Sequence, residues 1–227
     1  MTTASNTVYI INGSPRKNWN TAKMCESFAQ GVISKGGKAE IFHLYDIDFK
    51  GCRSCFACKL KGSPRFGKCS YPDGLQPVLE KVSHGGGLVL ATPMYFGDVS
   101  AVMRAFIERL MFPFFQYDAA FTSTAPKKMP TAIIYTLNAA EEFVNNTPLG
   151  QRMKTAQDSF EFFAGHIFSQ PDVITVYNTC QFDDYDKYAA ECFNGEEKQK
   201  QREIQFPKEQ QKAFNAGVKM AEKILNY

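Results

Sequence analysis

The sequence predicts a doubly wound α/β fold, with five parallel strands in the order 2-1-3-4-5 and helices on both faces. Three observations carry that expectation. Short β-branched and aromatic runs alternate with amphipathic stretches, some of those runs are continuously apolar, and the βα connections are short. A strand buried on both faces reads as an unbroken apolar run, whereas a strand with one wet face alternates.

The elements follow in order. "TVYIIN" (7–12) reads as the first strand and ends at Gly13. From Ala22 the apolar positions fall at Cys25, Phe28, Ala29, Val32 and Ile33, one helical face that Gly36-Gly37 closes. "KAEIFHL" (38–44) is a second strand, and residues 45–72 are rich in cysteine and lysine without periodicity. "LQPVLEKV" (75–82) fits a short helix with Pro77 in its first turn. "GLVLATP" (87–93) is a continuous apolar third strand, after which Val99, Val102, Met103, Phe106, Ile107 and Leu110 mark a helix. "PTAIIYT" (130–136) is a fourth strand, residues 148–165 a helix, "DVITVYN" (172–178) a fifth strand, and "QQKAFNAGVKMAEKIL" (210–225) a last helix. The stretch 180–206 is the least regular and reads as an arm or excursion.

At 227 residues the chain suits one domain over 1–227, with a cysteine-rich loop at 45–72 and a less regular extension at 179–227. A net charge of only +3 argues against nucleic acid or an anionic membrane as partner. No basic segment leads into a long apolar one, and no run approaches the ~18 apolar residues of a membrane span, so a cytoplasmic protein is expected. Seven cysteines, four of them within 52–69, point in a reducing compartment to metal, cluster or redox chemistry.

In such a sheet, ligands sit at the carboxyl ends of the strands where strand order reverses, between the first and third strands. The first edge of that crevice is "IINGSPRKNWNTAK" (10–23). Turn and helix N-terminal N–H groups favour an anion, Ser14, Asn20 and Thr21 add neutral donors, and Arg16 adds a charged fork. Neither a nucleoside-triphosphate loop nor a dinucleotide glycine pattern is present, so a terminal monophosphate fits. The plainer alternative is a polar turn capped by Asn20 or Thr21. The second edge, "ATPMYFGDVSAVMRAFIERL" (91–110), offers Tyr95 and Phe96 between Pro93 and Gly97. Aromatic surface beside bare main-chain donors suits a flat amphipathic ring, though rings there also simply plug a sheet end.

"GSPRKNWNT" and "TPMYFGDVSAVMRAFIERL" resemble the signature loops of NADPH-dependent FMN reductase-like flavoproteins, including the iron–sulfur flavoproteins, over residues 7–165. The resemblance implies a flavodoxin-like fold, FMN as cofactor and NAD(P)H as electron donor. It implies Ser14, Arg16, Asn18, Asn20 and Thr21 around the phosphate, and Pro93, Met94, Tyr95, Phe96 and Gly97 along the isoalloxazine. Trp19 stands where a small residue is common in the family. The third flavin loop, often glycine-rich in relatives, here reads "TLNAAEE" (136–142), with Thr136 and Asn138 as its polar candidates.

The expected activity is oxidoreduction: hydride from NAD(P)H to the flavin, then electrons to a quinone, flavin, other small acceptor or redox partner protein. A flavin carries that chemistry itself, so no catalytic side chain is named. His43, His84 and His166 lack surrounding motifs and read as surface or cap residues. The competing class is a non-enzymatic electron-transfer flavoprotein, although such small carriers are typically acidic. A homodimer or homotetramer is expected from the family habit of covering the flavin with a second subunit. "MFPFFQYDAAF" (111–121) reads either as an exposed aromatic patch or as buried against the 180–206 arm.

"GCRSCFACKLKGSPRFGKCSYPDG" (51–74) spaces Cys52, Cys55, Cys58 and Cys69 as C-x2-C-x2-C-x10-C. Four readings compete: a [4Fe–4S] cluster, structural zinc, redox-active thiols, and cysteines that merely pack. In the iron–sulfur flavoproteins the last spacing is shorter, so the ten-residue insertion either lets Cys69 return as a ligand or marks a lost cluster. Six basic residues lie within 50–69, which read as a solvated face or as an attractor for the phosphates of NADPH.

Overall fold

The computed structural model describes residues 6–225; the ends of the predicted domain, 1–5 and 226–227, lie outside the described residues. The strands are β1 (Thr7–Asn12), β2 (Lys38–His43), β3 (Gly87–Tyr95), the two-residue β4 (Asp98–Val99), β5 (Thr131–Thr136) and β6 (Asp172–Val176). Five are parallel in the order β2-β1-β3-β5-β6, the expected crossover pattern, and β4 adds an antiparallel hairpin to the end of β3. The helices are α1 (Asn20–Ser34), α2 (Gln76–Ser83), α3 (Ala101–Met111), α4 (Glu141–Asn146), α5 (Pro148–Ile167), α6 (Gly195–Lys200) and α7 (Phe206–Leu225).

The central strands are buried on both faces, which is why their middle positions, 8–11, 88–91 and 132–135, carry apolar or aromatic residues throughout. Ile10, Val89 and Ile134 point to a core with α1 and α7, while Ile11, Leu90 and Ile133 point to a second core with α2, α3 and α5. On the first face two glycines set the helix spacing. A Cβ on Gly31 would stand 2.0 Å from the Phe214 carbonyl oxygen, and one on Gly217 would stand 2.1 Å from that of Phe28. The α1 and α7 backbones therefore touch.

Two regions differ from expectation. The last helix reaches back beyond 210, because α6 and a π-turn over 201–205 run without a break into α7. Residues 195–205 are polar and show no apolar period, but the Asn194 side chain accepts the Glu197 N–H at 3.0 Å and starts the helix there. The aromatic loop 111–121 packs on α5 and not on the arm, with Phe115 against Phe163 and His166 and Phe114 against Phe168. Tyr117 and Phe121 stay exposed.

Gly217→Ala should lower the unfolding free energy by about 1–3 kcal/mol, read as a shifted urea midpoint at constant slope. An unchanged midpoint would show that the two helices separate freely.

Candidate functional site

The chain leaving β1 is held by its own polar groups. Asn12 Oδ1 accepts the Ser14 N–H at 2.9 Å, and the buried Ser14 hydroxyl accepts the Arg16 N–H at 3.2 Å. Gly13 passes so close to α3 that a Cβ there would meet Ser100 Oγ at 2.9 Å and Met103 at 3.1 Å. Ser100 stands at the N-terminus of α3 but does not cap it. Its hydroxyl donates to the Gly13 carbonyl at 2.7 Å, and its N–H donates to Thr92 Oγ1 at 3.1 Å. That buried knot fixes the β1 and β3 loops to one another. The sequence signal at Ser100 is that of an ordinary helix cap, which hides the role.

The β3 edge turns through a hairpin in which Tyr95 pairs with Asp98. Both central residues are left-handed, Phe96 at φ 50° and Gly97 at φ 81°, as a two-residue hairpin with the right-handed strand twist requires. Glycine meets that requirement freely; phenylalanine does so under strain. Phe96 is fully exposed at the tip. Burial, reinforced by Tyr45, pushes the Tyr95 phenol above its ordinary range against the opposing charge of Arg16, so it stays a neutral donor.

The two edges enclose a cavity of about 640 Å³. Of the residues expected around the flavin, Ser14, Arg16, Asn20, Thr21, Pro93, Met94, Tyr95, Phe96, Thr136 and Asn138 line it; the exposed Asn18 and the half-buried Gly97 do not. Thr21 and Thr136 hydroxyls meet at 2.8 Å, joining the first and third loops. The far wall, which sequence reasoning missed, comes from the irregular arm: Thr179, Cys180, Gln181, Phe182, Asp183 and Tyr188. Arg16 donates to the Gln181 carbonyl at 2.5 Å, while the Trp19 indole N–H and the Asn20 amide donate to that of Cys180 at 2.9 and 2.8 Å. Two guanidinium groups lie over the Trp19 ring, Arg16 at 3.8 Å and Arg202 at 4.7 Å from its centre. The carbonyls that receive these donors have no signature in a sequence.

The cavity fits an FMN. Its size lies in the ordinary ligand range of ~300–1,000 Å³. The N-terminus of α1 has no side-chain cap and no acid in its first turn, so its N–H groups suit a phosphate. Asn138 donates to Gln181 Oε1 at 2.9 Å, but its Oδ1 is buried with no partner among the described residues, an acceptor aimed at no protein donor. Behind Asn138, Lys198 is 4 % exposed and donates to the Asn138 carbonyl at 2.6 Å and to Asn178 Oδ1. Burial lowers its pKa to about 8, opposed by Cys180, Cys192 and Glu197.

The four clustered cysteines line a separate cavity of about 210 Å³. Ser54 and Phe56, one between each pair of the first three, are left-handed at φ 51° and 55°. Cys52 and Cys55 are exposed, Cys58 is buried and Cys69 half-buried. Among the described residues no three His, Cys, Asp or Glu groups sit as ligands of a single metal ion. Four thiolates is also the number that a [4Fe–4S] cluster requires. The basic run is partly tied down: Lys59 donates to the carbonyls of Phe112, Pro113 and Phe115, and Arg53 stacks over Tyr71. Burial pushes the Cys58 thiol up, with the charge of Lys59 opposing it. Glu108 and Arg109 near the end of α3 line the thiol cavity, and the β3 hairpin that walls the flavin cavity leads into the start of the same helix.

Residues 6–140 match the family described as NADPH-dependent FMN reductase. An iron–sulfur flavoprotein of Archaeoglobus fulgidus is 42% identical over 99 residues, covering 44% of this chain and 46% of that protein. One of Methanocaldococcus jannaschii is 31% identical over 99 residues, covering 44% and 49%. The chain thus spans about half the length of the curated relatives it matches. In fold it is similar to an NAD(P)H:quinone oxidoreductase from Methanothermobacter marburgensis (TM-score 0.64, 14% identity, 94% of this chain and 95% of that one). It is also similar to an FMN-dependent NADH-azoreductase from Bacillus anthracis in complex with FMN (TM-score 0.62, 11% identity, 96% and 99%). The fold is flavodoxin-like.

Lys198 gives the site a pH signature. Its folded pKa lies below the ordinary 10.5, so between pH 8 and 10.5 the unfolded chain holds a proton that the folded chain has released. The unfolding free energy of the wild type minus that of Lys198→Met should therefore rise with pH across that window. A flat difference in urea titrations would show that Lys198 is not destabilised as a cation.

Proposed function

The chain belongs to the NADPH-dependent FMN reductase family, and from that premise we propose that it is an FMN-dependent oxidoreductase drawing on NAD(P)H and delivering electrons to a small acceptor. One observation carries the reading: an uncapped helix N-terminus and an aromatic hairpin face one another across a single cavity at the switch point of the sheet. A bound flavin would supply hydride acceptance and electron release.

The protein's own part is placement. Because Arg16, Trp19 and Asn20 already hold the 180–181 main chain, the phosphate falls to the α1 N–H groups with the Ser14 and Thr21 hydroxyls. Arg16 remains as a positive charge at the rim, and Asn18 and Gly97 lie outside the cavity lining. Met94, Tyr95 and Phe96 would flank the ring, and Thr136 and Asn138 its polar edge. Hydride transfer needs no acid or base from the chain, so the loops' contribution is to keep one ring face open while excluding water from the other.

The four-thiol cavity favours an added reading as an electron-transfer flavoprotein. Cys52, Cys55, Cys58 and Cys69 would hold a [4Fe–4S] cluster that stores single electrons. The relatives of A. fulgidus and M. jannaschii are named iron–sulfur flavoproteins. Exposed Tyr117, Phe121 and Phe162 support assembly into a homodimer or homotetramer. Seven free cysteines support a reducing, cytoplasmic setting.

Ser14→Ala and Thr21→Val should each weaken FMN binding about tenfold, worth about 1.4 kcal/mol, and leave riboflavin affinity unchanged. Quenching of Trp19, the chain's one tryptophan, reads both titrations. Equal losses for the two flavins would place the phosphate elsewhere, and no binding of either would end the proposal. NADPH oxidation by the wild type should require added or co-purified FMN.

A further inference from the structure

We infer that Arg109 is the positioning residue of the four-cysteine cavity, closing the loop that carries the thiols and directing an N–H at the Cys69 sulfur. The inference rests on the proposed cluster reading of that cavity.

Arg109 lies in the last turn of α3, and its side chain is only 2% exposed. A guanidinium has five N–H donors in a fixed plane, and here all five meet the cysteine loop. Nε donates to Cys69 Sγ at 3.4 Å. Nη1 donates to the Lys50 carbonyl at 3.1 Å and to Asp73 Oδ2. Nη2 donates to the Tyr71 carbonyl at 3.4 Å and to Asp73 Oδ1 at 3.0 Å. One side chain thus grips the residues before the first cysteine and after the last. Inside the loop, the Gly67 N–H donates to the Cys58 carbonyl at 2.9 Å. Together these bonds fold the ten-residue insertion back and return Cys69 to the cavity of the other three.

An ordinary buried ion pair would account for the Asp73 contacts alone. It does not account for a charged donor on a thiol. An N–H bonded to a ligand sulfur withdraws electron density from it, and hydrogen bonds of this kind raise the potential of an iron–sulfur centre. Asp73 neutralises the net charge of the pair, so the effect belongs to the bond to sulfur. Lysine could restore the charge but neither the fork nor its five directions.

The test compares the wild type with Arg109→Lys and Asp73→Asn, with far-ultraviolet circular dichroism and FMN affinity as controls for folding, because the flavin cavity lies at the other end of α3. In metal-free protein, Arg109→Lys should alkylate at Cys69 with iodoacetamide about tenfold faster than the wild type, as expected for losing one such bond. After anaerobic reconstitution it should hold less iron, or a cluster of lower midpoint potential. Asp73→Asn keeps the donor on sulfur but removes the carboxylate that neutralises it, so its potential should not fall below that of the wild type; should Arg109→Lys fail to fold, a lowered potential in Asp73→Asn would overturn the inference. Wild-type rates, iron content and potential in Arg109→Lys would overturn the inference. A wild type that takes up no iron would end the cluster reading, and the alkylation ratio in metal-free protein would then decide whether Arg109 positions Cys69.

Discussion

The hydroxyl of Ser100, donating to the carbonyl of Gly13, is the bond on which the geometry of the flavin cavity turns. It is fully buried, and it links the loop that follows β1 to the start of the helix that follows β3. Thr92 accepts the N–H of the same serine, so the strand, the turn and the helix share one polar knot beneath the cavity floor. Such a knot is worth most where water cannot compete for its members. It holds the anion-binding end of α1 and the aromatic hairpin at a fixed separation, and only at a fixed separation can a phosphate and a ring belonging to one molecule both be met.

The helix that starts at this knot ends in Arg109. The same 11 residues therefore register the flavin loops at one end and the cysteine loop at the other. The polar contacts are unevenly distributed around the helix. Toward the flavin they are the Ser100 and Thr92 hydroxyls and main-chain groups beside the Arg104–Asp98 pair, and toward the thiols they are a buried charged fork and a carboxylate.

Much of this was legible from residues alone. The unbroken apolar run 87–93 could only be a strand with two dry faces, and the 22-25-28-29-32 period could only be a helix with one. The alternation of such strands and helices implied the strand order and the switch point, and the resemblance to FMN reductase-like flavoproteins implied most of the residues that line the flavin cavity. The arm was not legible, for a physical reason. It reaches the cavity with main-chain carbonyls at Cys180 and Gln181, which any residue type presents, and its partners Arg16, Trp19 and Asn20 lie about 160 positions away. The return of Cys69 was equally hidden, because a spacing of ten residues says nothing about closure until the fork of Arg109 is seen. Phe96 was legible as an aromatic edge but not as a strained one, since left-handed backbone at a phenylalanine is imposed by the hairpin around it.

The position of the phosphate in a crystal grown with FMN decides the account. Density for the phosphate against the first turn of α1, within reach of Ser14 and Thr21 and with the ring along Tyr95 and Phe96, is the predicted result. An FMN bound outside the switch-point cavity, or seated with its phosphate toward Phe182 and Tyr188 and its ring at α1, would contradict it.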